Sequence, residues 1–194
     1  MVEEKLEAAV EVPLRLDLGA GVNHKEGFTT VDILPFEGVD VVCDLNERWP
    51  WEDDSVDEVN ASHIVEHFTP KERCHFVNEL YRVLKPGAKA TITVPYWKSC
   101  RAYGDPTHCW PPVAEFWFFY LSKEWRMGDG KDKQPQAPHT DASNIEWGFS
   151  CDFETTWGYA LDGDIALKSQ EAQQFAIKHY TEGATDLIAT LVKK

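Results

Sequence analysis

The apolar positions of this chain fall into short runs separated by polar and glycine-rich punctuation. "LRLDLG" (14–19) has the character of a buried strand and ends on a glycine loop. "FTTVDI" (28–33) and "VDVVCDL" (39–45) are further strand-like runs rich in β-branched residues. "VDEVNAS" (56–62) is a fourth, entered through the acidic, proline-containing segment "ERWPWEDDSVDEV" (47–59). The period then changes. Cys74, Val77, Leu80, Tyr81 and Leu84 recur at three- and four-residue spacing, which predicts one buried helix face. Thr69-Pro70-Lys71-Glu72 predicts a capping box with proline at the first helical position, and Lys85-Pro86-Gly87 predicts the stop. "AKATITVPY" (88–96) returns to strand alternation. Beyond Tyr96 the pattern weakens. Residues 113–125 read as an apolar helix, and 126–144 as a polar, Gly/Pro-rich connection, either a lid or a surface loop. Closing strands are expected around 147–160 and 184–193, with a helix at 169–181 between them, and residues 1–12 as a loosely held lead-in.

Strands alternating with helices or loops predict a single α/β domain over 1–194 with a mainly parallel sheet. It divides into a cofactor-binding core (14–98), a substrate or lid insertion (99–147), and closing strands with a helix (148–194). In such sheets the ligand sits at the carboxyl ends of the strands. Gly19 to Gly21, Asp32, Asp44 and Ser62-His63 all fall just beyond strand ends. Four segments therefore converge on one edge.

Composition narrows the class. With 43% hydrophobic residues, eight Trp and ten Phe, the chain can bury a full core, which excludes wholesale disorder. No apolar run reaches the roughly 20 residues of a membrane span, and the acidic start lacks the basic n-region of a signal peptide. A cytoplasmic protein is expected. The net charge of −14, without a dense Lys/Arg run, disfavours nucleic acid and favours a small-molecule or protein partner. The five cysteines are odd in number and form no CxxC pair, so reduced thiols are expected rather than disulfides or a thiolate zinc site.

A Gly-Ala-Gly loop after one strand and an acid, Asp32, closing the next outline a nucleotide-cofactor site. Gly21 and Asp32 are eleven residues apart, whereas a dinucleotide site places its acid about 20 residues on. His24 stands where a third glycine belongs, and no long helix fits before Asp32. A pyrophosphate is thus poorly served. S-adenosylmethionine has no phosphates. It needs close backbone approach, an acid for the ribose and a slot for adenine, which Gly19-Ala20-Gly21, Asp32 and Asp44-Leu45 supply in chain order.

"LDLGAG", "VDI", "CDLNERWPWEDDSVDEV", "SHIVEHF", "YRVLKPGAKATITVP" and "YGDPTHCW" together resemble the class I S-adenosylmethionine-dependent methyltransferases, above all their compact bacterial and phage members. The resemblance covers about residues 14–110. It implies a Rossmann-like, mainly parallel seven-stranded sheet with helices on both faces and a reversed last hairpin. It implies S-adenosylmethionine as cofactor, with Asp17, Gly19, Ala20 and Gly21 near its methionine moiety. Asp32 and Ile33 would meet the ribose, Asp44 and Leu45 the adenine, and His63 the cofactor's edge. Ala88 departs from the family pattern, which has a second glycine after Lys-Pro-Gly; that affects a turn, not the cofactor assignment. The activity implied is methyl transfer to an acceptor, against a non-catalytic module that only binds the cofactor.

Two motifs carry further chemistry. "HIVEH" (63–67) matches the inverted zinc-protease signature, with two histidines on a helix face around a glutamate. Its place after a strand favours His67 and Phe68 packing at the start of the long helix, and no metal is expected. "YGDPTHCW" (103–110) lies where acceptors bind in this superfamily. A turn explains Asp105 and Thr107; His108 serves either as a base near neutral pH or as a loop cap. His108 and Asp105 are the catalytic candidates. Tyr96, Tyr103 and Trp110 are the candidate walls of an acceptor pocket, the other aromatics of 97–119 being mainly core.

Overall fold

The computed structural model describes residues 12–127 and 148–194. The expected lead-in over 1–11 and the connection over 128–144 lie outside the described residues. Seven strands form one sheet: β1 (Arg15–Leu18), β2 (Thr29–Asp32), β3 (Val41–Val42), β4 (Val56–Ser62), β5 (Leu84–Pro95), β6 (Phe153–Ala160) and β7 (Asp186–Lys193), in the order β3-β2-β1-β4-β5-β7-β6. The first five run parallel, and β7 is antiparallel to both neighbours. This is the expected Rossmann-like sheet with its reversed hairpin. Leu16, Leu18, Val31, Val59, Ala61, Ile92 and Val94 form its buried centre.

Helix α1 (Pro70–Val83) makes the crossover from β4 to β5. Its capping box is present: Glu72 accepts from the Thr69 N–H at 2.7 Å, and the Thr69 hydroxyl accepts from the Glu72 N–H at 3.4 Å. Cys74, Phe76, Val77, Leu80 and Val83 form its buried face. The helix stops earlier than Lys85-Pro86-Gly87 suggests. Leu84 is already extended and pairs with Val56, so the Lys-Pro-Gly segment belongs to β5. The residue before a proline avoids the helical region, and Leu84 is fully buried, so both forces pull the chain into the sheet.

Helix α2 (Arg101–Gly104) follows β5. The apolar segment 113–125 is not one helix but two, α3 (Glu115–Phe119) and α4 (Lys123–Met127). The break falls where Ser122 accepts from the Trp125 N–H and Asp152 accepts from the Lys123 N–H. A short α5 (Gly163–Ala166) precedes α6 (Gln170–His179), whose N-cap is Ser169. Among the described residues the β1–β2 and β2–β3 crossovers are loops, and β3 is only two residues long. The carboxyl edge is therefore built from turns, and it is there that the predicted site residues gather.

Candidate functional site

Gly19 and Gly21 adopt φ of +67° and +55°. A Cβ on Gly19 would also lie 2.8 Å from Ile64 Cγ1, so the turn needs glycine on both steric and backbone grounds. Two buried carboxylates lock it. Asp17 accepts from the Lys25 N–H at 2.9 Å and from Asn60 Nδ2 at 2.6 Å. Asp32 accepts from the Gly21 N–H at 2.9 Å and from the Leu34 N–H at 3.0 Å. An ionised carboxylate has about four acceptor positions, so each retains capacity for a ligand. A cavity of about 570 Å³ opens here, lined by Asp17, Gly19, Ala20, Gly21, Asn60 and His63 among others.

On the other side of Gly19 lies a smaller slot of about 80 Å³, walled by Asp32, Ile33, Asp44, Leu45, Ile64 and Phe68. Asp44 faces this slot, and its carboxylate accepts from the Asn46 N–H at 2.9 Å, the self-capping turn.

His63 takes up a left-handed conformation (φ +55°) straight after β4. Its Nδ1 is 3.1 Å from Glu66 Oε1 and its Nε2 3.7 Å from Asp186 Oδ1. The Glu66 hydrogen bond, aided by the charges of both acids, holds the imidazole pKa above its ordinary value. His63 also lines a third cavity, of about 600 Å³, with Glu66, His67, Arg101, Asp105 and His108. Gly19 is thus shared by the first and second cavities and His63 by the first and third. The three lie side by side along the carboxyl edge, with Gly19 and His63 at their shared walls.

"HIVEH" does not form the helix its zinc-protease reading requires. Val65–His67 is a single 3₁₀ turn and His63 lies outside it. His67 turns instead toward the 103–110 loop. Thr107 donates its hydroxyl to Asp105 at 2.7 Å and so receives His67 Nδ1–H at 3.1 Å. The Thr107 N–H bonds the same carboxylate at 2.8 Å, which is the turn the sequence predicts. These Thr107 bonds hold the Asp105 carboxyl below its usual value. His108 Nδ1 lies 3.2 Å from the Ala102 carbonyl. A carbonyl only accepts, so Nδ1 carries the proton and Nε2 is left with a lone pair in the neutral ring. The His67 and His108 rings meet edge-to-face, 4.8 Å apart.

Arg73 makes this meeting possible. Its guanidinium, 3% exposed, donates to the carbonyls of Val65, Glu66, Cys109 and Pro111 at 2.6 to 3.4 Å. It thereby clamps the turn bearing His67 to the loop bearing His108.

Sequence reasoning missed Arg73, Arg101 and Asn60. Only Asn60 left a signal, as a polar residue inside the β4 run. Tyr96 requires a correction. It is fully buried, packs edge-on to Tyr159 and donates to the Ile177 carbonyl at 3.3 Å. Alternation along the strand end puts Pro95 at the cavity and turns Tyr96 into the core. Tyr103 and Trp110 are exposed beside the third cavity and do not line it.

Residues 17–92 match the family described as "Methyltransferase domain". No curated protein matches the chain in sequence. Among solved structures the chain is similar to an S-adenosylmethionine-dependent methyltransferase from Archaeoglobus fulgidus, at 18% identity and a TM-score of 0.62, over 93% of this chain and 86% of that one. It is also similar to the 1,6-didemethyltoxoflavin-N1-methyltransferase of Burkholderia thailandensis, solved with its substrate and S-adenosylhomocysteine, at 14% identity and a TM-score of 0.51, over 94% and 72% of the two chains. Residues 17–92 thus match a methyltransferase domain, and the chain as a whole shares the fold of S-adenosylmethionine-dependent methyltransferases.

Proposed function

We propose that the enzyme transfers a methyl group from S-adenosylmethionine to a small-molecule or protein acceptor that enters the cavity between His63 and His108. The carrying observation is that the cavity at the glycine turn shares Gly19 with the slot at Asp44 and His63 with the cavity at His108. The slot at Asp44 and Leu45 takes adenine, Asp32 the ribose, and the Gly19–Gly21 turn with Asp17 the methionine part. The methyl group then points past His63. Transfer is an in-line displacement in which the acceptor's lone pair forms the new bond to carbon and sulfur keeps the electrons of the bond that breaks. The sulfonium supplies the activation, so the protein's task is alignment. His108 and Asp105 carry the acceptor side, with the exposed aromatics Tyr103 and Trp110 at its rim.

Calorimetric titration tests the cofactor. S-adenosylmethionine and S-adenosylhomocysteine are expected to bind in preference to NAD, because the short β1–β2 crossover offers a pyrophosphate no helix N-terminus. Tighter NAD binding would overturn the reading. Asp32→Ala should weaken S-adenosylhomocysteine at least about tenfold, since charge-assisted hydrogen bonds contribute roughly 1.5–3 kcal/mol each. The same change frees the Gly21 and Leu34 N–H groups, so part of the loss arises from a loosened turn. Unchanged affinity in a folded variant would remove Asp32 from the site.

A further inference from the structure

We propose that Glu66, His67 and His108 bind one divalent transition-metal cation at the floor of the third cavity. One carboxylate oxygen of Glu66 and one ring nitrogen of each histidine lie within 4.8 Å of one another. Glu66 itself is 4% exposed. Its Oε1 meets His63, while its Oε2 is buried with no hydrogen-bond partner among the described residues. A buried, unpaired carboxylate oxygen is costly, and a cation between the three side chains would satisfy it.

The two imidazoles are already set for this task. His67 Nδ1 is committed to Thr107, which is in turn held by Asp105, and His108 Nδ1 is committed to the Ala102 carbonyl. Each ring therefore presents the lone pair of Nε2, and such bonds from the remote nitrogen are how metal-binding imidazoles are oriented. Four-coordinate donors with bonds of about 2.0–2.2 Å stand roughly 3.4 Å apart, so the side chains close by about an ångström on binding.

Two imidazoles and one carboxylate favour zinc, cobalt, nickel or ferrous iron over the hard cations, which prefer all-oxygen sets. Three protein ligands leave at least one position open, and here it faces the cavity of the acceptor. The cation would stand between His108 and the acceptor, and His108 would act through it. The set differs from the one "HIVEH" suggests: folding retires His63 and brings in His108 from the next loop. It runs against the sequence-based expectation that no metal binds.

The test uses the full chain, stripped with EDTA and titrated with zinc chloride by calorimetry, with X-ray absorption on the zinc-loaded wild type. One zinc per chain is expected, with two imidazoles and oxygen in its shell. Glu66→Gln, His67→Gln and His108→Gln should each weaken zinc by about 100-fold or more, and Thr107→Val by about tenfold through a misoriented His67. His63→Gln should weaken zinc only about tenfold, as an outer partner of Glu66 rather than a ligand. S-adenosylhomocysteine titration of every variant gives a separate check of folding. Absence of stoichiometric zinc, a sulfur ligand from nearby Cys109, or loss confined to His63→Gln would each overturn the site. The metal inference and the transfer reading fail separately: zinc without S-adenosylhomocysteine binding sinks only the second, and the reverse sinks only the first.

Discussion

His108→Ala is expected to lower methyl transfer by about 10²–10⁴, the range contributed by a well-placed acid–base side chain, whether His108 takes the proton itself or acts through a cation it holds, while S-adenosylhomocysteine affinity stays within about threefold. The separation follows from the layout of the cavities. His108 lines the cavity beyond His63, and none of the described residues around the glycine loop or the slot at Asp44 and Leu45 bonds to it. No cofactor contact is lost when its ring is removed. The measurement is a pair of assays on one folded variant, cofactor titration and single-turnover transfer from a labelled donor to an acceptor found by screening. Loss of cofactor binding without a defect in transfer would put the 103–110 loop on the wrong side of the sulfur.

Arg73→Met should cost about 3 kcal/mol of stability and loosen the meeting of His67 with His108, which then rests on the Cys109 and Thr107 bonds. Removing the guanidinium takes the Arg73 donors from the Cys109 and Pro111 carbonyls, at about 1–3 kcal/mol for each buried group left unpaired. The Val65 and Glu66 carbonyls each keep a backbone donor, from Phe68 and Cys109, so they add less. Arg73→Lys should recover little, since an ammonium cannot span two chain segments as a planar fork does. Denaturant unfolding reads the stability. S-adenosylhomocysteine affinity should survive while transfer falls, because the clamp touches only the acceptor half. Equal stability with transfer intact would show the two segments to be held by other contacts.

The cofactor half of the molecule was open to sequence reading for a physical reason. Its determinants are local: an apolar run, a turn that needs two glycines, an acid eleven residues later. Even the capping box of α1 is contained within four residues. The acceptor half depends on contacts made across the fold. Thr107 meets His67 from forty residues away, and Arg73 reaches carbonyls 36 and 38 residues on. Main-chain carbonyls have no residue type, so nothing in the sequence marked Arg73 as a clamp. Tyr96 was misplaced because alternation fixes the period of a strand but not the residue at which it leaves the sheet. The single helix expected over 113–125 failed in a similar way. Its apolar residues serve two short helices, and the break at Ser122 rests on Asp152, a residue on the far side of the 128–147 segment.

If the cofactor sits as proposed, the loops that replace helices in the first two crossovers would also set the electrostatics of turnover. A long helix starting at the glycine turn would aim its positive end at the ligand. Here the turn is bounded instead by Asp17 and Asp32, in a chain whose net charge is −14. The methyl donor brings a positive sulfonium into that negative surround, and the spent cofactor leaves it neutral. With the cofactor seated as proposed, charge attraction would favour loading over retention, and the edge of the sheet would let its own product go.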